Sequence, residues 1–455
     1  MNPKKTIPLL SAFRHTPWPS ISLTFLVAAL PPTPSLALDP VAVLQVPDAV
    51  SGYGAGFGRA VAISGDWIAV GAPDDDQFAD ESGAVYIFRR DGARWVFHEK
   101  LKALVLQEDR MGYSLAMDGD WLVAGAPNFP SYLGSPGGLG RAYVFRRDER
   151  GTPENIVDDR WRAVAVFNPP PSHLCCNFGL SVDIAGDVAV VGRSSGEHQI
   201  GSAYAFRWTG SEWLPDGVLM GADTEEGDSF GRSVATNGNS IIVGSPFDDD
   251  AGDHSGSAYV FHKEEGKWVQ AAKLLAPDPG SPGAFGASIA VDDLILVVTP
   301  HVFRLQGMEW SYEATMSPAN ESEQRTFGGP AAVSEGNVLI GSPSAEGPGL
   351  VPPAGATYLF RQWTAYWQQG NKLTANPSRF LGSAVAVHGD FAVSNVFVHR
   401  ICDGCGTLRE FARFQLCAGA TTASSDLKCD VLDFNGDGAV ALPDLAAFVS
   451  ILVGP

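Results

Sequence analysis

An all-β fold built from repeated sheet units is what this sequence predicts, and three observations carry it. A pattern returns seven times along the chain. Each copy holds short apolar runs bounded by Gly and Pro. Each also carries an aromatic pair two residues apart. The first copy is complete: Phe57-Gly58, Gly65-Asp66, Val70-Gly71-Ala72-Pro73, Gly83-Ala84-Val85-Tyr86-Ile87-Phe88, then Trp95. A unit of roughly 40–70 residues with four strand-like segments cannot bury its own faces, so it must stack on neighbours as a propeller or an array.

The other copies start at Met111-Gly112, Phe178-Gly179, Phe230-Gly231, Phe285-Gly286, Phe327-Gly328 and Leu381-Gly382. The second strand of each is nearly all apolar (Trp121–Ala124, Val188–Val191, Ile241–Val243, Leu294–Val298, Val338–Ile340). Such runs suit strands covered on both faces. The third strand puts Tyr86 and Phe88 on one side, as it does Tyr143/Phe145, Tyr204/Phe206, Tyr259/Phe261 and Tyr358/Phe360. These aromatics read as core, the layer that one unit presses against the next. Gly-Asp before the second strand fits a tight hairpin turn, and Gly-Ala-Pro ends the second strand because Pro removes a ladder donor.

These motifs resemble the FG-GAP repeat family, the blades of integrin-α-type propellers, over about residues 57–416. The resemblance implies a seven-bladed β-propeller, four antiparallel strands per blade around a central channel. It also implies calcium loops between the first two strands of blades. Here those loops have shrunk to Ser64-Gly65-Asp66, Asp118-Gly119-Asp120 and Ala185-Gly186-Asp187, so blade calcium sites are not carried over.

The expected organisation is a signal peptide (1–37), a propeller (39–416), a linker (417–428) and a small C-terminal module (429–455). Lys4, Lys5 and Arg14 precede the apolar stretch Ile21–Leu30, which is too short to span a bilayer, and Ser35-Leu36-Ala37 offers a cleavage pattern. An uncleaved anchor is the rival reading; no other segment is apolar enough for one. Loss of the three basic residues takes the net charge from −20 to −23. That acidity excludes nucleic acid, whose phosphates need a basic footprint. The abundance of turns, with Gly 51 and Pro 32, agrees with an exported all-β protein, secreted or held at the cell surface.

Six cysteines in an exported chain favour disulfides. Cys402 and Cys405 flank an Asp-Gly turn, Cys417 and Cys429 flank the linker, and Cys175 and Cys176 are adjacent, as a vicinal bridge or two thiols. A zinc site from the last four is the rival, weakened by the spacing of the second pair.

The sharpest chemical motif is Asp433-Phe434-Asn435-Gly436-Asp437-Gly438-Ala439, closed by Asp444. It matches an EF-hand loop: Asp433, Asn435, Asp437, the Ala439 carbonyl and Asp444 supply oxygens at the spacing that wraps calcium, and Gly438 makes the sharp turn. The helix expected over Asp444–Leu452 has an apolar stripe of Leu445, Phe448, Val449 and Leu452. Loop and helix together resemble one dockerin repeat. Dockerins pair two, so the resemblance implies either packing on the propeller or a cohesin-like partner.

No catalytic set emerges. Gly192-Arg193-Ser194-Ser195-Gly196 has the form of a nucleophile elbow, but an elbow needs a helix next and a third strand follows, Gly201–Phe206. The nine His residues have no ligand spacing. The acidic loops Asp74-Asp75-Asp76 with Asp80-Glu81, and Asp248-Asp249-Asp250 with Asp253, read either as solvated turns or as carboxylates gathered round a cation. The chain therefore reads as a non-enzymatic binding or adhesion protein whose propeller loops meet a protein or glycan. A polysaccharide-degrading enzyme or accessory subunit of a dockerin-type assembly is one alternative; a structural envelope component is another. Ring closure falls to Val41–Val46 or to Arg409–Leu416, since an open edge strand invites misassociation.

Overall fold

The computed structural model describes residues 37–46, 55–77, 81–102, 109–127, 139–148, 158–170, 177–194, 200–277, 284–344, 355–363, 366–375 and 381–401. Residues 1–36 of the expected signal peptide, all six cysteines, 409–416 and the expected calcium loop and helix at 433–452 lie outside them, whereas Ala37 is described. Seven sheets form, each with four strands in sequence order in blades 1 to 6. Blade 1 comprises Val61–Ser64, Trp67–Ala72, Ala84–Asp91 and Arg94–Lys102. The innermost strands of blades 2 to 7 are Ser114–Asp118, Phe178–Ala185, Ser233–Thr236, Ile289–Val291, Ala331–Ser334 and Val385–His388. Each inner strand packs on the next, and Val385–His388 returns to Val61–Ser64, so the ring is closed. The fold is an all-β seven-bladed β-propeller. No helix among the described residues is long and apolar enough to cross a membrane.

The apolar side chains divide into seven clusters, each lying between two adjacent blades. Tyr86 and Phe88 pack with Val393, Phe397 and Val398 of blade 7, and Tyr143 and Phe145 pack with Ile87 of blade 1. The expected aromatic layer thus faces the preceding blade. In blades 1, 4 and 6 the Phe of Phe-Gly sits against the third-strand Tyr of its own blade, with ring centroids 5.3 Å apart for Phe57–Tyr86 and for Phe230–Tyr259 and 5.4 Å for Phe327–Tyr358. In blade 5 His301 takes the place of the Tyr, 5.7 Å from Phe285.

The Phe-Gly and Gly-Ala-Pro motifs meet across blade boundaries. A Cβ added at Gly244 of blade 4 would lie 2.0 Å from the carbonyl oxygen of Gly286 in blade 5. The same contact recurs as Gly71 on Gly112 and Gly341 on Gly382, each at 2.0 Å, and as Gly125 on Gly179 at 2.1 Å. Gly286 itself has φ +90°, a left-handed conformation that side chains disfavour. One backbone therefore lies directly on the next.

Closure uses the beginning of the described chain. Ala42–Val43 adds to the outer edge of blade 7 antiparallel to Phe397–Arg400, in the register Ala42↔Val398 and Val43↔Phe397. The amides of Val41 and Leu44 extend the ladder at 2.8 Å to the carbonyls of Val398 and Val396. Between the two segments expected for this place, the one at 41–46 fills it. Just before it, Ala37–Leu38 pairs in parallel with the outer strand of blade 6.

His399 is fully buried at this seam. Neither ring nitrogen reaches hydrogen-bond geometry, although the backbone of Leu38 and Asp39 lies close enough to favour the charged ring. Burial outweighs that pull and pushes its pKa from 6.5 down to about 4. Between those values the unfolded chain holds more protons than the folded one, so stability falls as pH drops through that window. His399→Leu is expected to flatten this acid loss, by up to about 3 kcal/mol, in urea unfolding at stepped pH. Gly244→Ala is expected to cost ~3 kcal/mol through overpacking. Gly65→Ala, at φ +56° with nothing within 4 Å of an added Cβ, is expected to cost only ~1 kcal/mol of left-handed strain.

Candidate binding channel and loop face

On one face of the propeller the inner strands begin, the second strands end and the third strands start. The acidic loops lie on this face. Their key carboxylates turn inward. Asp75 is buried, accepts a hydrogen bond from Tyr86 Oη at 2.7 Å, and takes the Lys100 ammonium at 2.8 and 2.9 Å. Asp248, at the matching place of blade 4, accepts from Ser257 Oγ at 2.7 Å and Tyr259 Oη at 2.8 Å, with Lys273 Nζ at 2.9 Å. Blade 6 reaches the same end with a different carboxylate: Glu323 accepts from Tyr358 Oη and from Lys372 Nζ, both at 2.6 Å. In each case a third-strand Tyr and its cross-strand Lys hold one acid.

Of the two readings of these loops, solvated turns or a gathered cation, neither describes Asp75 and Asp248, because a lysine ammonium supplies the positive charge. Burial alone would raise the Asp248 pKa, but Lys273 and the two hydroxyls outweigh it and hold the carboxyl below its usual range. Burial likewise works against the charge on Lys273, and its carboxylates more than reverse this, raising its pKa. Among the described residues no group of three or more His, Cys, Asp or Glu is placed to hold a metal.

The elbow-like pentapeptide is partly described. Gly192 and Arg193 end a strand, Val188–Arg193, and the next described element is another strand, Ser202–Trp208. Arg193 and Ser194 are buried, and the Arg193 guanidinium lies 3.4 Å from Ser202 Oγ. Ser195 and Gly196 lie outside the described residues.

At the centre of the ring is a channel of about 440 Å³, lined by the start of every inner strand. Its wall has three tiers. The mouth is the residue that follows each Phe-Gly or its equivalent: Arg59, Tyr113, Leu180, Arg232, Ala287, Gly329 and Ser383. Below it is a tier of small residues, in which Ser114, Ser181 and Ser233 donate to the carbonyls of Gly179, Gly231 and Gly286 at 2.9, 3.1 and 2.6 Å, tying each blade to the next. The third tier is aliphatic, with Val61, Leu115, Val182, Val234, Ile289 and Val385.

Arg59 and Arg232 are the charged residues of this lining, and no carboxylate joins them. Arg59 donates to Tyr113 Oη at 2.6 Å and lies 4.4 Å over the Tyr113 ring, which fixes the guanidinium at the rim. Arg232 is exposed, and among the described residues its guanidinium has no hydrogen-bond or ion-pair partner. Reading the position after Phe-Gly down all seven repeats would have found this mouth; attention to the acidic loops passed over it.

The FG-GAP repeat family matches residues 48–88 and 213–261, which hold the opening of blade 1 and most of blade 4. Those two stretches match the FG-GAP repeat, and the fold that contains them is a seven-bladed β-propeller. Among solved structures, this propeller is similar to a chain of the mitotic checkpoint complex at 12% identity and a TM-score of 0.47, covering 83% of this chain and 98% of that one. It is also similar to the β-propeller domain of the Trilobed protease from Pyrococcus furiosus, described as having an open velcro topology. That likeness has 9% identity and a TM-score of 0.41, over 74% of this chain and 89% of that one. No curated protein matches the chain.

Removing Lys273 leaves the buried Asp248 without its counter-charge. Lys273→Met is expected to lower unfolding stability at pH 7 by about 3 kcal/mol in a urea titration. Adding Asp248→Asn is expected to recover part of the loss. Because the Asp248 pKa is depressed, the wild-type contribution is full above the ordinary carboxylate pKa and disappears as pH falls through the lower, folded value.

Proposed function

We propose that this propeller is an exported, non-enzymatic binding or adhesion protein, secreted or at the cell surface, that meets a protein or glycan at its loop face. The observation that carries this reading is the contrast on that face. The buried acids Asp75, Asp248 and Glu323 are neutralised by lysine in closed clusters, whereas the channel mouth offers an arginine without a partner among the described residues. Groups committed to one another serve cohesion; an uncommitted cation beside a cavity serves recognition. A hydrolase needs carboxylates free to move protons, and Asp75, Asp248 and Glu323 are held by tyrosine and lysine instead.

The C-terminal module is read as a dockerin-like half-repeat that binds calcium through Asp433, Asn435, Asp437, the Ala439 carbonyl and Asp444. Calcium would stiffen the loop and present the apolar helix stripe to the propeller or to a cohesin-like partner. This part rests on the sequence motif alone.

In a screen of extracellular proteins and glycans, the mature chain is expected to retain at least one ligand and to hydrolyse none. Cleavage of a polysaccharide, abolished by carboxylate changes in 74–81 or 248–253, would overturn this in favour of the enzyme. In calorimetry, Asp433→Ala is expected to remove one calcium-binding event; an unchanged titration would refute the site.

A further inference from the structure

We infer that the channel mouth is a carboxylate-binding site for an acidic peptide segment, an inference that rests on the binding role proposed above. The chain carries a formal charge of −20, yet the charged residues lining its central channel are two arginines. They come from blades 1 and 4, three blades apart in a ring of seven, and so stand on nearly opposite sides of the mouth. Elsewhere on the loop face the cations are committed: Lys100 to Asp75, Lys273 to Asp248 and Asp223, Lys372 to Glu323, and Arg110 to Glu81. Arg59 is held by a phenol rather than by a carboxylate, so its charge is not compensated there and its planar fork matches a carboxylate.

The rest of the lining selects among anions. Tyr113 is the aromatic residue of the wall, and the Arg59 guanidinium covers its face. No open ring is left in the lining for a sugar to stack on. Beneath the rim, Ser114, Ser181 and Ser233 donate to glycine carbonyls, Ser288 Oγ accepts from the Ala331 amide, and the next tier is aliphatic. A ligand that places a carboxylate at the rim and an aliphatic side chain below it satisfies both tiers. A peptide with Asp, Glu or a terminal carboxylate beside Val or Leu has that chemistry.

The test is fluorescence anisotropy of the full mature chain with short labelled peptides. One set carries Glu or Asp beside Leu with an amidated C-terminus. A second has neutral side chains and a free C-terminal carboxylate. Amide counterparts with Gln or Asn serve as controls, and polygalacturonate is titrated in parallel. Binding by either carboxylate set is expected, and the set that binds identifies the source of the carboxylate. The amide peptides are expected not to bind. Arg59→Met and Arg232→Met should each weaken binding by about tenfold or more, with Arg94→Met, on the opposite face, leaving it unchanged. These arginines are exposed, and circular dichroism checks that the variants fold. Absence of peptide binding, equal binding of the amides, or insensitivity to the two arginines would overturn the inference. Binding of polygalacturonate alone through the same arginines would also overturn it, in favour of an acidic glycan. A ligand found in the broad screen but indifferent to both arginines would sink this site and leave the binding role standing, whereas an empty screen would sink the role itself.

Discussion

Everything in this propeller depends on one backbone lying against another with no side chain between. The Gly244–Gly286 contact and its equivalents let the Phe-Gly turn of one blade seat on the Gly-Ala-Pro strand end of the blade before it. That closeness brings Ser233 Oγ within 2.6 Å of the Gly286 carbonyl and carries Phe285 into the core between blades 4 and 5. The two halves of the repeat motif are thus a single joint whose parts belong to different blades. Packing at this density has little give, so an added methyl at the joint displaces main chain.

A second layer of order comes from charge. Glutamate or aspartate reaches the buried tyrosines from different loops: from the second-to-third loop in blades 1 and 4, from the segment before the inner strand in blades 2 and 6. The tyrosine is what recurs, with a cross-strand lysine in blades 1, 4 and 6 and Arg141 beside Asp109 in blade 2; the source of the acid varies. A buried carboxylate with such partners pins its loop to the blade. The loop face is therefore built on a rigid footing, which suits a surface that recognises something.

Much of the fold was legible because repetition writes the same physics several times. The apolar second strands, the aromatic pairs and the positive-φ glycines each appear in most of the seven copies, and the structure places them where periodicity and turn chemistry require. Two residues of the acidic loops, Asp75 and Asp248, departed from the expected solvated turn for an identifiable reason, while Asp74, Asp76, Asp249, Asp250 and Asp253 are exposed as a solvated turn requires. Asp75 and Asp248 look solvated beside their neighbours, and their lysines lie 25 residues away in sequence on the fourth strand. Only strand register brings Lys100 opposite Tyr86 and Lys273 opposite Tyr259. The channel mouth was missed for another reason: Arg59 and Arg232 sit in separate copies, where each resembles an ordinary surface arginine until the ring sets them in one rim. Between the two candidate closing strands the choice was equally non-local, since 41–46 is mostly apolar and 409–416 mixes polar with apolar residues, both patterns a strand can carry, and only pairing with Phe397–Arg400 distinguishes them.

That pairing has a consequence for biogenesis. Ala42–Val43 leaves the ribosome early, and the edge it must cover is made some 350 residues later, a separation implied by the register Val43↔Phe397. Through most of translation this stretch has no partner, while blades 1 to 6 can assemble in succession. The nascent protein is therefore a growing arc with one raw edge at its advancing end. Chaperones have that interval in which to hold it, and the circle is completed by the earliest part of the fold coming home last.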